Sequence, residues 1–189
     1  MANIIYLMGP SGSGKDSLIS ALSKQLRPGA GLLIAHRYIT RNWQSGGENH
    51  IQLSDTEFVL RKTLGLFSLS WQANGHHYGI GCEVDAWLKA EQSVIVNGSR
   101  EHLPEAIERY AEQLIPVLID VEEAHLRARL IRRSRESGEE IDARILRSKD
   151  YTDGLNSQCH IISNNGNLDA SVIALARLID RQTTASINV

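Results

Sequence analysis

The stretch Gly9-Pro10-Ser11-Gly12-Ser13-Gly14-Lys15 fits the pattern GxxxxGK, directly after an apolar run from Asn3 to Met8 and directly before residues with helical spacing. A strand that feeds a glycine-rich turn opening a helix is built to bind phosphate. Glycines let the backbone curl without Cβ clashes, and successive N–H groups with the helix N-terminus present partial positive charge. Gly9, Pro10, Ser11, Gly12, Ser13, Gly14, Lys15, Asp16 and Ser17 are therefore assigned to ATP binding, with Lys15 catalytic and spanning the β and γ phosphates. A glycine-rich turn with no ligand is the bland alternative, and the strand and helix flanks count against it. The residue after the lysine is usually Ser or Thr, whose hydroxyl ligates Mg²⁺; here it is Asp16, followed by Ser17. A carboxylate is also a hard oxygen ligand, so Asp16 and Ser17 are the expected contacts to Mg²⁺.

Strand-like and helix-like segments alternate along the rest of the chain, which predicts an α/β fold: a mostly parallel sheet flanked by helices. Strands are expected at Asn3 to Met8, Leu32 to Ala35, Ser93 to Val96, Ile115 to Asp120 and Cys159 to Ile162. Helices are expected at Lys15 to Gln25, Glu83 to Glu91, Pro104 to Glu112, Glu122 to Arg135, Glu139 to Asp150 and Leu168 to Asp180. Arg37 to Gly81 breaks the alternation, being rich in Gly, His, Asn and Ser, and reads as an acceptor-binding insertion. A single kinase domain over residues 1–182 is expected, with residues 183–189 a frayed tail.

With 20 Lys plus Arg against 22 Asp plus Glu, the net charge of −2 gives no reason to expect nucleic acid as a partner. No run approaches the roughly 18 apolar residues of a membrane helix, and MANIIYLMGP lacks a basic leader, so a cytoplasmic protein is expected. Cys82 and Cys159, far apart and outside any CxxC, read as two buried or idle thiols. Oligomeric state is not legible, and a homodimer is compatible with the sequence.

Beyond the loop the chain resembles the guanylate kinases, P-loop NTPases of the nucleoside monophosphate kinase type. Tyr38-Ile39-Thr40-Arg41 is similar to that family's TTR segment, Gly46-Gly47-Glu48 lies near its glycine-glutamate turn, and Asn74-Gly75-His76-His77-Tyr78-Gly79 resembles its GNYYG segment. The resemblance implies that Arg41 and Tyr78 grip the acceptor phosphate, with His77 and Glu48 beside them; His76 is the other histidine suspected of touching substrate. It also implies a mobile lid over residues 126–145, with Arg133 and Arg144 catalytic and Arg129 a third basic contact to the nucleotide. Asn164 resembles the adenine-contacting asparagine, an asparagine turn before a helix being an equal alternative.

The departures are as informative. Where guanylate kinases read guanine with a glutamate and a hydroxyl, this chain has Ser70 and Ile80, and the strand from Ser93 ends in Val96-Asn97-Gly98-Ser99-Arg100 rather than an Asp-x-Asp pair. With GPSGSGKDS, this combination resembles the ribose 1,5-bisphosphate phosphokinases of phosphonate utilisation over roughly residues 3–180. The resemblance implies ATP and ribose 1,5-bisphosphate as substrates, 5-phosphoribosyl 1-diphosphate (PRPP) as product, and Mg²⁺ as cofactor. A phosphate acceptor is already anionic near neutral pH, its second pKa lying near ~6, so no general base is needed. His36, His50, His102, His125 and His160 are accordingly read as structural. Another small-molecule kinase on this scaffold, a guanylate kinase or gluconate-like sugar kinase, and an inactive ATP-binding interaction module are the alternatives.

Overall fold

The chain runs β1 (Ile4–Met8), α1 (Lys15–Ser23), β2 (Leu32–Ile34), β3 (Arg37–Ile39), β4 (Ile51–Gln52), α2 (Asp55–Thr63), β5 (Phe67–Ala73), β6 (His76–Gly81), α3 (Glu83–Lys89), β7 (Ser93–Asn97), α4 (Leu103–Tyr110), β8 (Leu114–Asp120), α5 (Glu123–Arg133), α6 (Gly138–Lys149), β9 (His160–Ser163) and α7 (Leu168–Gln182). This computed structural model describes residues 1–45, 48–133, 137–149, 159–183 and 185–187, with the side chains of all but Arg133, Arg147, Ser148 and Lys149. Five parallel strands in the order β2-β7-β1-β8-β9 form the central sheet.

β1 is apolar throughout because both its faces are covered, as in parallel sheets generally. Ile4, Tyr6 and Met8 join one core with Val84 and Leu88 of α3 and Leu103, Ala106 and Tyr110 of α4. Ile5 and Leu7 join the other with Leu18 and Leu22 of α1 and Val172, Leu175 and Ile179 of α7. Each such side chain contributes about 1.5–3 kcal/mol on burial, and together they fix where β1 ends. The phosphate loop starts at that end.

The Arg37–Gly81 region is more regular than its composition suggested. It forms a second sheet, β4-β3-β6-β5, covered by α2. Asn74 and Gly75 take φ of 49° and 75°, turning β5 into β6 as a tight hairpin, and the Ser54 side chain caps α2 by accepting from the Glu57 N–H. Alternation along the strands then sorts the side chains. Ile39, Trp71, Tyr78 and Ile80 face the core of the main sheet, whereas His77 stacks on Phe58 of α2 at 5.1 Å, and Phe58 stacks on Phe67 at 4.7 Å.

α5 and α6 close on each other through Leu126, Leu130, Ile141 and Ile145, with Val121 at their base. The tail differs from the expected fraying: Ala185 and Ile187 are buried in the α1/α7 core, the Ser186 N–H donates to the Ala30 carbonyl and the Ile187 N–H to Asp180. Spaced apolar residues with a partner groove dock even at a terminus. Cys82 is exposed rather than buried and Cys159 is half-buried; both are free thiols. No described helix is long and apolar enough to cross a membrane.

Phe58 is nearly fully buried and carries the contact between α2 and the second sheet. Phe58→Ala should therefore cost roughly 3–5 kcal/mol, measured as a fall in the urea midpoint at unchanged slope.

Candidate active site

Gly14 precedes the first turn of α1 at φ 90°, and a Cβ there would lie 2.5 Å from the Asn164 amide nitrogen, so the position accepts only glycine. The Lys15 ammonium donates to the carbonyls of Gly9 at 2.6 Å and Pro10 at 3.2 Å, which places its charge at the mouth of the loop. The loop is tied from behind. The Ser13 carbonyl accepts from Asn164 Nδ2 at 2.7 Å and Arg129 Nη1 at 3.1 Å, while Arg129 Nη2 donates to the Asn164 carbonyl at 2.6 Å.

Asn164 is 2% exposed and its Oδ1 accepts from Ser171, so both ends of the amide are engaged inside the protein. Asn164, expected at the adenine, here braces the loop from behind, as does Arg129. From α6, Arg144 Nη1 donates to Ser11 Oγ at 2.5 Å, which ties that helix to the loop. Arg133 ends α5, and its side chain lies outside the described part of the chain.

On the other flank, Asn97 at the end of β7 is in register with Leu7 of β1, and its Nδ2 donates to Asp16 Oδ1 at 3.0 Å. That bond orients the carboxylate on the first turn of α1. Ser17 is exposed. The turn after Asn97 is pinned in place: Tyr6 OH exchanges hydrogen bonds of 3.0 Å with both the N–H and the carbonyl of Ser99, and its ring lies against Gly98, where a Cβ would meet Tyr6 Cζ at 2.1 Å.

The acceptor side is organised by one carboxylate. Glu48 holds Arg37 through a paired, two-point salt bridge and Arg41 through Nη2 at 3.3 Å. Burial pushes its carboxyl up, but the hydrogen bonds and charge of Arg37, helped by Arg41 and His50, outweigh this and hold it below the usual carboxylate range. Arg37 also lies 5.2 Å over the Tyr78 ring, and Tyr78 stacks on Trp71 at 5.6 Å. Glu48, expected to contact substrate, is thus occupied in aligning two arginines. His50 is structural as expected, its ring nitrogens facing the Glu48 and Arg41 carbonyls at 3.2 and 3.0 Å.

His77, expected beside Tyr78 at the substrate, lies on the opposite face of β6, with its ring stacked on Phe58 of α2. His76 binds the Thr40 carbonyl through Nδ1 at 3.0 Å. Gly46 and Gly47 lie outside the described residues. Sequence reasoning missed Arg37 and Tyr6 and gave Asn97 no role, although the Val96–Arg100 segment stood out; Arg37 left the signal of a second arginine four residues before Arg41. Ser70 lines, with Ser68, Glu105, Glu108 and Arg109, a depression of about 440 Å³.

A loop after the first strand of a parallel sheet, a lysine at its mouth and an arginine-bearing lid above it define a P-loop kinase. The fold agrees: guanylate kinase from Anaplasma phagocytophilum superposes with a TM-score of 0.72 over 98% of this chain and 88% of its own, at 12% identity. A sugar kinase from Janibacter gives a TM-score of 0.52 over 95% of each chain, at 18% identity. Proteins called ribose 1,5-bisphosphate phosphokinase PhnN are far more similar in sequence. That of Pectobacterium parmentieri is 46% identical over 187 residues, 98% of each chain, and that of Pantoea vagans 50% identical over 181 residues, 95% of this chain and 98% of its own. That of Desulfomicrobium baculatum is 53% identical over 149 residues, 79% of each chain. No family model matches. The chain belongs to the ribose 1,5-bisphosphate phosphokinase PhnN family.

Because the Glu48 carboxyl titrates below its unfolded value of 4.5, its pairing stabilises the fold above that pH and is lost as pH falls through the folded value. Glu48→Gln should cost about 1.5–3 kcal/mol at pH 7, the range for hydrogen bonds to charged groups. In urea unfolding over a pH series, the gap to wild type should narrow as pH falls below 4.5; a gap unchanged at low pH would show that the charge is not what matters.

Proposed function

We propose that this chain catalyses transfer of the terminal phosphate of ATP to ribose 1,5-bisphosphate, giving PRPP and ADP. The observation that carries this reading is near-full-length identity of 46–50% to the named phosphokinases, together with a phosphate loop and paired arginines beside the second sheet. An oxygen of the sugar's 1-phosphate attacks the γ-phosphorus, the bond from that phosphorus to the β-bridging oxygen breaks, and ADP leaves with the electron pair. The acceptor is already an anion, so the protein's work is positioning and charge neutralisation.

In this reading Lys15 and Arg144 offset the charge on the transferred group, and Arg133 joins them from the end of α5. Arg41 holds an acceptor phosphate; its Nε is buried without a partner among the described residues, so an incoming phosphate oxygen satisfies it. Tyr78 lines the same side. The Gly9–Ser17 loop cradles the ATP phosphates with backbone N–H groups. Asp16 fits Mg²⁺: it is a hard oxygen donor beside the loop, oriented by Asn97. When bound, the ion neutralises phosphate charge. In this reading the reaction runs in the cytoplasm, with which the two free thiols are compatible.

ATP-dependent PRPP formation, followed directly with ribose 1,5-bisphosphate and GMP side by side, tests the assignment. Turnover should be confined to the sugar bisphosphate, and equal or better use of GMP would overturn it. For the metal, Asp16→Ala should raise the Mg²⁺ concentration for half-maximal activity and weaken Mn²⁺ binding to the enzyme–nucleotide complex, seen by electron paramagnetic resonance. Asp16→Ser should recover part of both. An unmoved titration would give the carboxylate a purely structural role.

A further inference from the structure

Four buried side-chain polar atoms have no hydrogen-bond partner among the described residues: Asn3 Oδ1, Arg41 Nε, Asn97 Oδ1 and His102 Nδ1. Asn3 lies at the start of β1, at the end of the sheet away from the loop, with its amide nitrogen on the Gln182 carbonyl. The other three belong to the acceptor side. Each unpaired buried group costs about 1–3 kcal/mol, and native folds carry few of them, so a cluster needs a reason.

A relay of contacts runs from His102 to Arg41, and a pinned turn ties Asn97 to His102. Asn97 is level with the end of β1 beside the phosphate loop. His102 follows it by five residues, after the turn that Tyr6 pins through Ser99, in a short 3-10 turn leading into α4. Its ring packs against Trp71 at 5.8 Å; Trp71 stacks on Tyr78, Tyr78 lies under Arg37, and Glu48 links Arg37 to Arg41. The register explains the row. Trp71 and Tyr78 are paired across β5 and β6, and Arg37 stands on β3 at the other side of β6.

The chemistry of the unpaired atoms specifies a ligand. Arg41 Nε can only donate, so it takes an anionic oxygen. The Asn97 amide nitrogen is committed to Asp16, so its Oδ1 faces outward from that bond as an acceptor, and a fully ionised phosphate offers it no proton. A hydroxyl does. His102 can donate or accept according to its tautomer. One molecule that carries both phosphate and vicinal hydroxyls satisfies all three, and the transfer itself leaves His102 without another task.

We propose that His102 is a specificity-determining residue whose Nδ1 hydrogen-bonds a ring hydroxyl of the sugar, in a subsite shared with Asn97 and Arg41. The inference rests on the sugar-bisphosphate reading above and names what reads the sugar. The test compares wild type, His102→Asn, His102→Gln and His102→Phe on ribose 1,5-bisphosphate and its 2-deoxy and 3-deoxy analogues, with kcat and KM separated and thermal unfolding as the fold control. An asparagine amide reaches where Nδ1 sits, whereas a glutamine amide reaches toward Nε2. His102→Asn should retain most of kcat/KM, while the Gln and Phe variants lose about tenfold to a hundredfold on the ribose substrate, the size of one lost hydrogen bond in a closed site. On the analogue lacking the hydroxyl that is read, those losses should shrink below about threefold. Equal losses on all three acceptors, or rescue by Gln as good as by Asn, would overturn the assignment. Should the Phe variant not fold, the Asn and Gln variants decide alone. Absence of wild-type turnover of ribose 1,5-bisphosphate would instead sink the acceptor reading, and this inference with it.

Discussion

The carbonyl oxygen of Ser13 is the point at which the phosphate loop is tied to the rest of the molecule. It accepts from Asn164, at the end of the outermost strand β9, and from Arg129 on the lid helix α5. Three segments far apart in sequence thereby share one anchor. A glycine-rich loop left to itself loses the most conformational entropy on ordering, so its geometry must be imposed from outside. Imposed it is, by an engaged amide, by a guanidinium that also holds the amide's own residue, and by leucines 126 and 130 packed under Gly12. Because Arg129 and the Leu126/Leu130 pair sit on α5, the loop and the lid form one packed unit.

A comparable device governs the acceptor half. Glu48 is a buried carboxylate between two guanidinium groups, and without it Arg37 and Arg41 would repel each other in a poorly screened setting. With it, the pair keeps one net positive charge, and Arg41 retains a free donor. The aromatic row formed by Tyr78 and Trp71 then supports Arg37 from the core side. The two halves meet at the Tyr6 hydroxyl, which pins the turn between Asn97, facing the phosphate loop through Asp16, and His102, facing Trp71.

Much of this was legible along the chain. The GxxxxGK motif with its flanks located the loop, and the alternating pattern located all five strands of the central sheet to within about two residues. The second sheet was not anticipated, although Asn74-Gly75 and the Ser54–Glu57 cap were visible; β3 and β4 are only three and two residues long, and His, Ser and Gly between the apolar residues of β5 and β6 mask the alternation. Within the site, His77 and Tyr78 face opposite sides of β6, which strand alternation dictates. Asn164 and Glu48 lie beside the phosphate loop and the arginine pair, engaged with protein groups.

The sequence by itself determined the elements whose cause is local: a strand–glycine loop–helix unit, the order of strands and helices, the presence of arginines for phosphate, and membership of a phosphokinase lineage. Only the tertiary structure decided which polar groups spend their hydrogen bonds on the protein and which keep them for a ligand. That distinction depends on partners brought in from distances such as the 151 residues separating Ser13 from Asn164. Residue type sets how many hydrogen bonds a side chain can make, and packing alone sets how many are already made.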